Sequence, residues 1–174
     1  IELCEDVWAP EPPSTRLCLS GADIIFNLSA SDELIGKHNY LCSLLSQQSA
    51  RTMSGYVYSS SGFGESTQDL VYGGNALIYE NGNEVASSER FSFESQMVVA
   101  QIDYEMLRAE RRNNTTFINA QRPTSLSHTL PQVRFINCHS TQIRDFVLER
   151  YVNPTPFIPA STDMKESCEE IFNI

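Results

Sequence analysis

The sequence is poor in positive charge, in long apolar runs and in targeting signals. Only 12 Lys and Arg residues stand against 22 Asp and Glu, which gives a formal net charge of −10 over 174 residues. A field of that sign repels phosphate backbones and argues against nucleic acid as a partner. No apolar run approaches the roughly 18 to 20 residues of a membrane-spanning helix, and the first residues lack the basic and apolar regions of a signal peptide. The sequence therefore predicts neither a nucleic-acid-binding protein nor a membrane protein.

Regularly spaced metal ligands are missing as well. The five cysteines are odd in number and widely spaced, which fits neither a disulfide framework nor a paired zinc site. The acidic pairs Glu5-Asp6 and Glu169-Glu170 lack the alternating ligands of a calcium loop. We therefore predict no bound metal, and five thiols in a reducing cytoplasm, namely Cys4, Cys18, Cys42, Cys138 and Cys168.

The first half of the chain has the pattern of an α/β protein. A hydrophobic content of 41% is enough to bury a core, and the length fits about one domain. Ile1 to Cys4 alternates like a strand, Ser14 to Ser20 has a helical composition, and Asp23 to Leu28 is a second strand that is apolar on both faces. Strand, crossover and strand in this order predict a βαβ unit.

A long helix and a hairpin follow. From about Gly36 to Met53, apolar side chains recur at three- and four-residue intervals, which predicts an amphipathic helix. Tyr56 to Tyr58 is strand-like. Asn81-Gly82 between two further strand-like runs is the strongest short-range signal of a hairpin. The hairpin adds antiparallel strands to the sheet, so we predict a mixed sheet covered by helices.

The second half is patterned less regularly. The predicted elements are a strand from Met97 to Ile102, a helix from Tyr104 to Arg112 capped by Asp103, a strand from Val133 to Asn137, an extended tether from Tyr151 to Pro159 and the first turns of a helix from Asp163 to Phe172. We assign residues 1–150 to the domain and residues 151–174 to a C-terminal connector. Because the chain opens without Met on a strand already under way, we expect it to be part of a longer protein.

Cys4 is the strongest candidate for chemistry. A thiol at the end of a strand is exposed by the turn that follows, and the next backbone N–H then points at a substrate oxygen, as an acyl-transfer nucleophile requires. The alternative is a buried structural cysteine, because free cysteines are among the most buried residues. The histidines that could act as its base are His38, His128 and His139, and nothing in their spacing selects one.

The loop from Ser29 to Lys37 is the second candidate. It joins the carboxyl end of a strand to the start of a helix, where open α/β sheets bind ligands. Free N–H groups near Gly36 and the ammonium of Lys37 favour a carboxylate or phosphate there. An ordinary helix start with a solvated lysine explains the same residues. Gly62-Phe63-Gly64 lacks the third glycine and the strand-to-helix context of a nucleotide-binding loop.

Several segments follow one another in the order found in one enzyme family. They are Glu2-Leu3-Cys4-Glu5-Asp6-Val7-Trp8, Gly21-Ala22-Asp23, Asn27-Leu28-Ser29-Ala30-Ser31, Gly36-Lys37, Gly64-Glu65-Ser66-Thr67-Gln68-Asp69-Leu70 and Tyr79-Glu80-Asn81-Gly82, with a weaker likeness after about Arg90. The sequence resembles the glutaminase domain of glutamine-dependent NAD+ synthetases, within the nitrilase or carbon–nitrogen hydrolase superfamily. This resemblance implies an αββα sandwich and a Glu-Lys-Cys triad.

The resemblance assigns roles to four residues. Cys4 matches the nucleophile that attacks the side-chain amide of glutamine, and the backbone N–H of Glu5 matches a donor of the oxyanion hole. Ser31 and Lys37 fall where the family holds the α-amino-acid end of glutamine. Some relatives are expected to have Arg at the position of Lys37. A lysine keeps the positive charge of an arginine there but cannot make the bidentate contact of a guanidinium with a carboxylate. The family's base glutamate and lysine lie upstream of the cysteine and are expected to be missing here.

The resemblance also implies partners. Glutamine is the substrate, and the released ammonia serves an ATP-dependent amidation of nicotinic acid adenine dinucleotide. The expected protein partners are an upstream half of the glutaminase domain, a C-terminal NAD synthetase domain that holds ATP and Mg²⁺, and further copies in a homo-oligomer. No cofactor is expected in this chain. Two alternatives remain open, namely another amidase of the superfamily and a non-catalytic interaction module on the same fold.

Overall fold

The computed structural model describes residues 1–122, 130–131, 133–138, 147–158 and 164–174. The chain divides into two compact units, Ile1–Gln142 and Ile143–Ile174. All the strands and both candidate site regions lie in the first unit.

The first unit is built on a five-stranded mixed sheet. The strands are β1 (Glu2–Leu3), β2 (Ile24–Ser29), β3 (Gly55–Ser60), β4 (Ala76–Glu80) and β5 (Asn83–Ser87), and they lie side by side in that order. β1, β2 and β3 are parallel, while β4 and β5 run antiparallel to their neighbours. The predicted βαβ unit and mixed sheet are therefore confirmed.

Two crossover helices cover one face of the sheet. They are α1 (Pro13–Leu19) and α2 (Lys37–Thr52), and a 3-10 helix, Cys4–Trp8, leads from β1 toward α1. Side chains of α1 and α2 form one core with alternate residues of the strands, whose members are Val7, Cys18, Ile25, Leu41, Leu45, Tyr56, Tyr58, Leu77 and Tyr79. This periodicity confirms the predicted amphipathic helix.

The opposite face of the sheet is open along β1 and β2. Leu3, Phe26 and Leu28 are 61%, 48% and 55% exposed. The prediction that the second strand is covered on both faces therefore holds for one face only in this chain. The reason is that period-two alternation sends Phe26 and Leu28 away from α1 and α2.

The hairpin turn and the cap of the next helix form as predicted. Asn81 and Gly82 have φ values of 47° and 90°, the left-handed conformations that a type I′ turn needs at both central residues. α3 (Tyr104–Asn113) begins after Asp103, whose Oδ1 accepts the Met106 N–H at 2.9 Å. A short helix, α4 (Thr115–Ala120), follows.

Two predicted strands are wrong. Residues 97–102 and residues 133–137 form no strand in the structure. Ile102 packs near Gly55 instead of joining a ladder, and the Asp103 N–H donates to the Glu80 carboxylate at 2.6 Å. Apolar side chains alone do not make a strand, because its backbone must also pair with a neighbour.

The second unit contains α5 (Met164–Asn173). It confirms the predicted C-terminal helix, apart from Asp163, which lies outside the described residues. In the predicted tether, residues 151–158 form neither helix nor strand, and Pro159 lies outside the described residues. None of the described helices is long and apolar enough to span a membrane.

Candidate functional site

The carboxyl ends of the parallel strands bring the candidate residues to one edge of the sheet. Leu3 of β1 is paired with Leu28 of β2, so the 3-10 helix after β1 begins beside the loop after β2. The end of β3 is adjacent, because Ser29 is paired with Ser60. Residues that are 25 or more positions apart in sequence thus meet at this edge, which is where open α/β sheets bind ligands.

Cys4 occupies the turn between β1 and the 3-10 helix. Its φ of 42° lies in the left-handed region, which is uncommon for a residue with a side chain. Such strain persists only where the surrounding structure enforces it, and it clusters at functional sites. The thiol is free and partly exposed. The Glu5 N–H lies in the first turn of the 3-10 helix, where N–H groups have no partner within the helix.

A buried carboxylate holds the short strand that leads to Cys4. Glu2 is 1% exposed, and it accepts hydrogen bonds from the Ser14 N–H and from the Tyr56 hydroxyl, the latter at 2.5 Å. Burial and the nearby Glu2 carboxylate raise the pKa of Tyr56, so its hydroxyl remains a donor. Asn27 Nδ2 donates to the same hydroxyl at 3.3 Å. β1 is thereby tied both to α1 and to β3, although it has only two residues.

Lys37 is the first residue of α2 and is paired with the loop before it. Its Nζ donates to the Asp32 carbonyl at 2.7 Å and to Asp32 Oδ1 at 2.8 Å. The bond and the charge of Lys37 lower the pKa of Asp32. Lys37 Nζ also lies 5.2 Å from the centroid of Trp8, which ends the 3-10 helix that Cys4 begins. The ammonium therefore lies against the end of the 3-10 helix that begins at Cys4, and it is shared with a carboxylate.

Ser31 lies beside Lys37. Its N–H donates to Ser60 Oγ at 3.4 Å, which links the loop after β2 to the end of β3. Ser31 and Lys37 line one small cavity together with Glu33, His38 and other residues. The structure thus brings the two predicted substrate-binding residues together, next to the turn that carries Cys4.

Three further polar residues at this edge were not singled out from the sequence. Glu33 Oε1 accepts from Asn75 Nδ2 at 2.6 Å, and Glu33 Oε2 pairs with the Arg90 guanidinium at 2.8 Å. The partners are 42 and 57 residues away in the chain. No local pattern marks such contacts, and only the acidic dipeptide at Asp32-Glu33 hinted at a charged loop.

The histidines and metal ligands give no second site. His38 lies on α2, where its Nε2 is 3.5 Å from Cys42 Sγ, and His128 and His139 lie outside the described residues. Across the part of the chain that the structure describes, no group of three or more His, Cys, Asp or Glu side chains could hold a metal ion. All five cysteines are described, and each is a free thiol.

Comparison with known proteins gives close relatives along the whole chain. No protein-family model matches it. It is 38% identical over its whole length to the glutamine-dependent NAD(+) synthetase of Mycobacterium bovis and 37% identical to that of Mycobacterium leprae. The chain spans 26% of the length of each of these relatives. The resemblance found in the sequence motifs is thereby confirmed.

A solved structure confirms the fold. The carbon–nitrogen hydrolase from Helicobacter pylori superposes with a TM-score of 0.55 at 19% sequence identity, covering 67% of this chain and 43% of that one. At this identity the likeness concerns the fold alone. The predicted fold class, a mixed α/β sheet of the nitrilase type, is therefore correct.

Proposed function

We propose that this chain, a homologue of part of the glutamine-dependent NAD(+) synthetases, supplies the nucleophile and part of the substrate site of a glutaminase. The observation that carries the proposal is Cys4, placed with a strained φ of 42° at the carboxyl end of a parallel strand. A turn of this kind presents a thiol to a substrate and directs the following N–H groups toward the carbonyl oxygen that becomes negative. The relatives at 38% identity bear the name of an enzyme that uses glutamine.

The proposed reaction proceeds through a thioester. A general base takes the proton of the Cys4 thiol and later returns it as the general acid. The Cys4 sulfur attacks the side-chain carbonyl carbon of glutamine, and the Glu5 N–H stabilises the resulting oxyanion. The C–N bond then breaks and ammonia leaves with a proton from a general acid. Water attacks the thioester, the C–S bond breaks, and glutamate and the free thiol are released.

Ser31 and Lys37 are proposed to hold the α-amino-acid end of the substrate. Both line one cavity at the edge where Cys4 lies. An ammonium on the first turn of a helix suits a carboxylate, since the charge and the helix dipole act in the same direction. Asp32 forms an ion pair with this ammonium, so the substrate carboxylate shares or replaces that contact.

The whole protein is proposed to use the ammonia for amidation. In that reaction a synthetase domain following the connector of residues 151–174 binds ATP and Mg²⁺ and converts nicotinic acid adenine dinucleotide to NAD+ in the cytoplasm, in a homo-oligomer. The open sheet face at Leu3, Phe26 and Leu28 is proposed to pack against the upstream half of the glutaminase domain. Residues 1–174 alone are therefore proposed to be inactive and prone to association, because exposed apolar faces and edges favour it.

The test is the reaction of the full-length protein with glutamine and with a glutamine-analogue electrophile. The electrophile should label Cys4 and leave Cys18 untouched, because Cys18 is fully buried and burial raises its pKa. Cys4→Ala should reduce glutamine-driven NAD+ synthesis on the order of 10³-fold or more. Ammonia-driven synthesis should persist, since it needs no thioester.

Other outcomes distinguish the rival functions. Labelling of Cys18 or Cys42 with an inert Cys4 contradicts the assignment of the nucleophile. Amide hydrolysis through Cys4 without any NAD+ synthesis indicates another amidase of the superfamily. A full-length protein that neither hydrolyses glutamine nor reacts with the electrophile indicates a non-catalytic module.

A further inference from the structure

A small cavity lies between the loop after β2, the first turns of α2, Tyr58 of β3 and Asn75, which directly precedes β4. Ser31, Glu33, Lys37, His38 and Asn75 contribute to its wall. Its volume of about 10 Å³ leaves room for one group of the size of a water molecule. The cavity is therefore the size of the end group of a ligand and not of a whole ligand.

Two polar atoms of the wall are buried and have no partner among the described residues. They are Asn75 Oδ1 and His38 Nδ1. Asn75 is 5% exposed. Burying a polar atom without a hydrogen bond is unfavourable. Two residues of one cavity that each have a polar atom without a hydrogen bond therefore indicate an occupant that completes these bonds.

The orientation of the Asn75 amide is fixed by Glu33. A carboxylate only accepts, so the amide group that lies 2.6 Å from Glu33 Oε1 is the NH₂, and Oδ1 is the atom of this cavity-lining amide that has no partner. When the Nε2–H of His38 is directed at Cys42 Sγ, 3.5 Å away, Nδ1 is an acceptor too. The cavity then presents acceptors to its occupant, which must be a donor.

The charges around the cavity suit a zwitterion. Lys37 and Arg90 are paired with Asp32 and Glu33 respectively, so both signs are present and they cancel. Lys37 is suited to the carboxylate of an amino acid, as proposed above. The ammonium of the same amino acid needs acceptors close by, and it has the size of one water molecule.

We infer that Asn75, oriented by Glu33, is the specificity-determining acceptor for the α-ammonium group of the amino-acid substrate. This inference rests on the proposed function, since it places one end of the glutamine molecule. Asn75 binds the substrate through its Oδ1, while Glu33 is a positioning residue that acts through Asn75. The subsite selects α-amino acids over amides that lack the amino group.

The test compares glutamine with 4-carbamoylbutanoate, which is glutamine without its α-amino group, as substrates of the full-length enzyme. The wild-type protein should prefer glutamine in kcat/KM. Asn75→Ala should raise the KM for glutamine about tenfold or more, and change the KM for 4-carbamoylbutanoate by less than about twofold. Asn83→Ala, at an exposed asparagine in β5, is the matched control and should change neither value.

A second variant keeps the test decisive if Asn75→Ala does not fold, which alkylation of the buried Cys18 would reveal. Glu33→Gln retains an acceptor for Asn75 Nδ2 but can also present its NH₂, so it should lower the preference for glutamine by a smaller factor. A resident water or a purely structural role predicts equal changes for both substrates, and that result overturns the inference. A wild-type enzyme that does not distinguish the two substrates overturns it as well. Absence of glutamine hydrolysis through Cys4 removes the proposed function itself, which is a separate outcome.

Discussion

At the amino ends of β2 and β3 the Arg111 guanidinium is surrounded by partners, whereas at the carboxyl ends three buried polar atoms, Asn75 Oδ1, His38 Nδ1 and Arg90 Nε, have no partner among the described residues. Arg111 on α3 donates to the carbonyls of Thr52, Met53 and Ala22 at 2.8 to 3.1 Å and lies 3.5 Å from Asp23. At the other edge Asn75 Oδ1 and its neighbour in the cavity find no acceptor or donor among the described residues.

The comparison of the two edges separates the contacts that stabilise the fold from the polar groups that are available to a substrate. A cation with a partner at each of its three nitrogens stabilises the packing of α3 on the sheet. The carboxyl edge instead combines the strained Cys4 turn, an unsatisfied amide oxygen and two ion pairs around one cavity. We expect a substrate to pair with the groups that lack partners at this edge, so stability should depend on one edge and catalysis on the other.

The largest effect is expected on stability, from removal of the Arg111 contacts at the amino ends of β2 and β3. Arg111→Met leaves three carbonyls without their donor and Asp23 with Arg108 alone, and it should lower the free energy of unfolding by about 3 kcal/mol. Arg112→Met, at the exposed neighbour on α3, should change it by less than about 0.5 kcal/mol. The measurement is the urea concentration at which the buried Cys18 of the full-length protein becomes reactive. Equal midpoints for the two variants would contradict a stabilising role of this edge.

An intermediate effect is expected at Lys37. Lys37→Met removes the hydrogen bond proposed between Lys37 and the substrate carboxylate, which should be worth about 1.5 to 3 kcal/mol, so the KM for glutamine should rise about 10- to 150-fold. The kcat should fall less, if the contact is equal in the ground and transition states. Arg51→Met, at the exposed other end of α2, is the matched control. An unchanged KM in Lys37→Met would mean that the lysine is only a helix-end residue paired with Asp32.

The smallest effect is expected from releasing Lys37 from its partner. Asp32→Asn removes a carboxylate that competes with the substrate for the ammonium, and it should lower the KM for glutamine by roughly two- to fivefold. Because Lys37 lowers the pKa of Asp32 in the folded protein, the ion pair contributes above the unfolded pKa of about 3.9 and is lost as the pH falls through the lower folded value. The ratio of the two KM values should therefore stay constant from about pH 6 to pH 8. A rise in KM would show that Asp32 orients Lys37 instead of competing for it.

Local patterns allowed much of the fold to be predicted. The long helix α2, the Asn81-Gly82 turn and the Asp103 cap each depend on residues a few positions apart, and each is confirmed. The strand predicted at Met97 to Ile102 failed, because a strand exists only where a second segment pairs with it. The open face at Phe26 and Leu28 has the same origin, since an apolar pattern does not say what covers it.

The sequence by itself, through the family resemblance, pointed to Cys4, Glu5, Ser31 and Lys37, and the roles of these residues stay predictions. It also determined the order of helices and strands in the first half, because period and turn chemistry are properties of neighbouring residues. Only the tertiary structure decided that Cys4 adopts a left-handed φ, that Asp32 engages Lys37, and that Glu33 orients Asn75 from 42 residues away. These contacts form where the ends of separate strands converge. A local sequence pattern cannot show which residues far apart in the chain meet there.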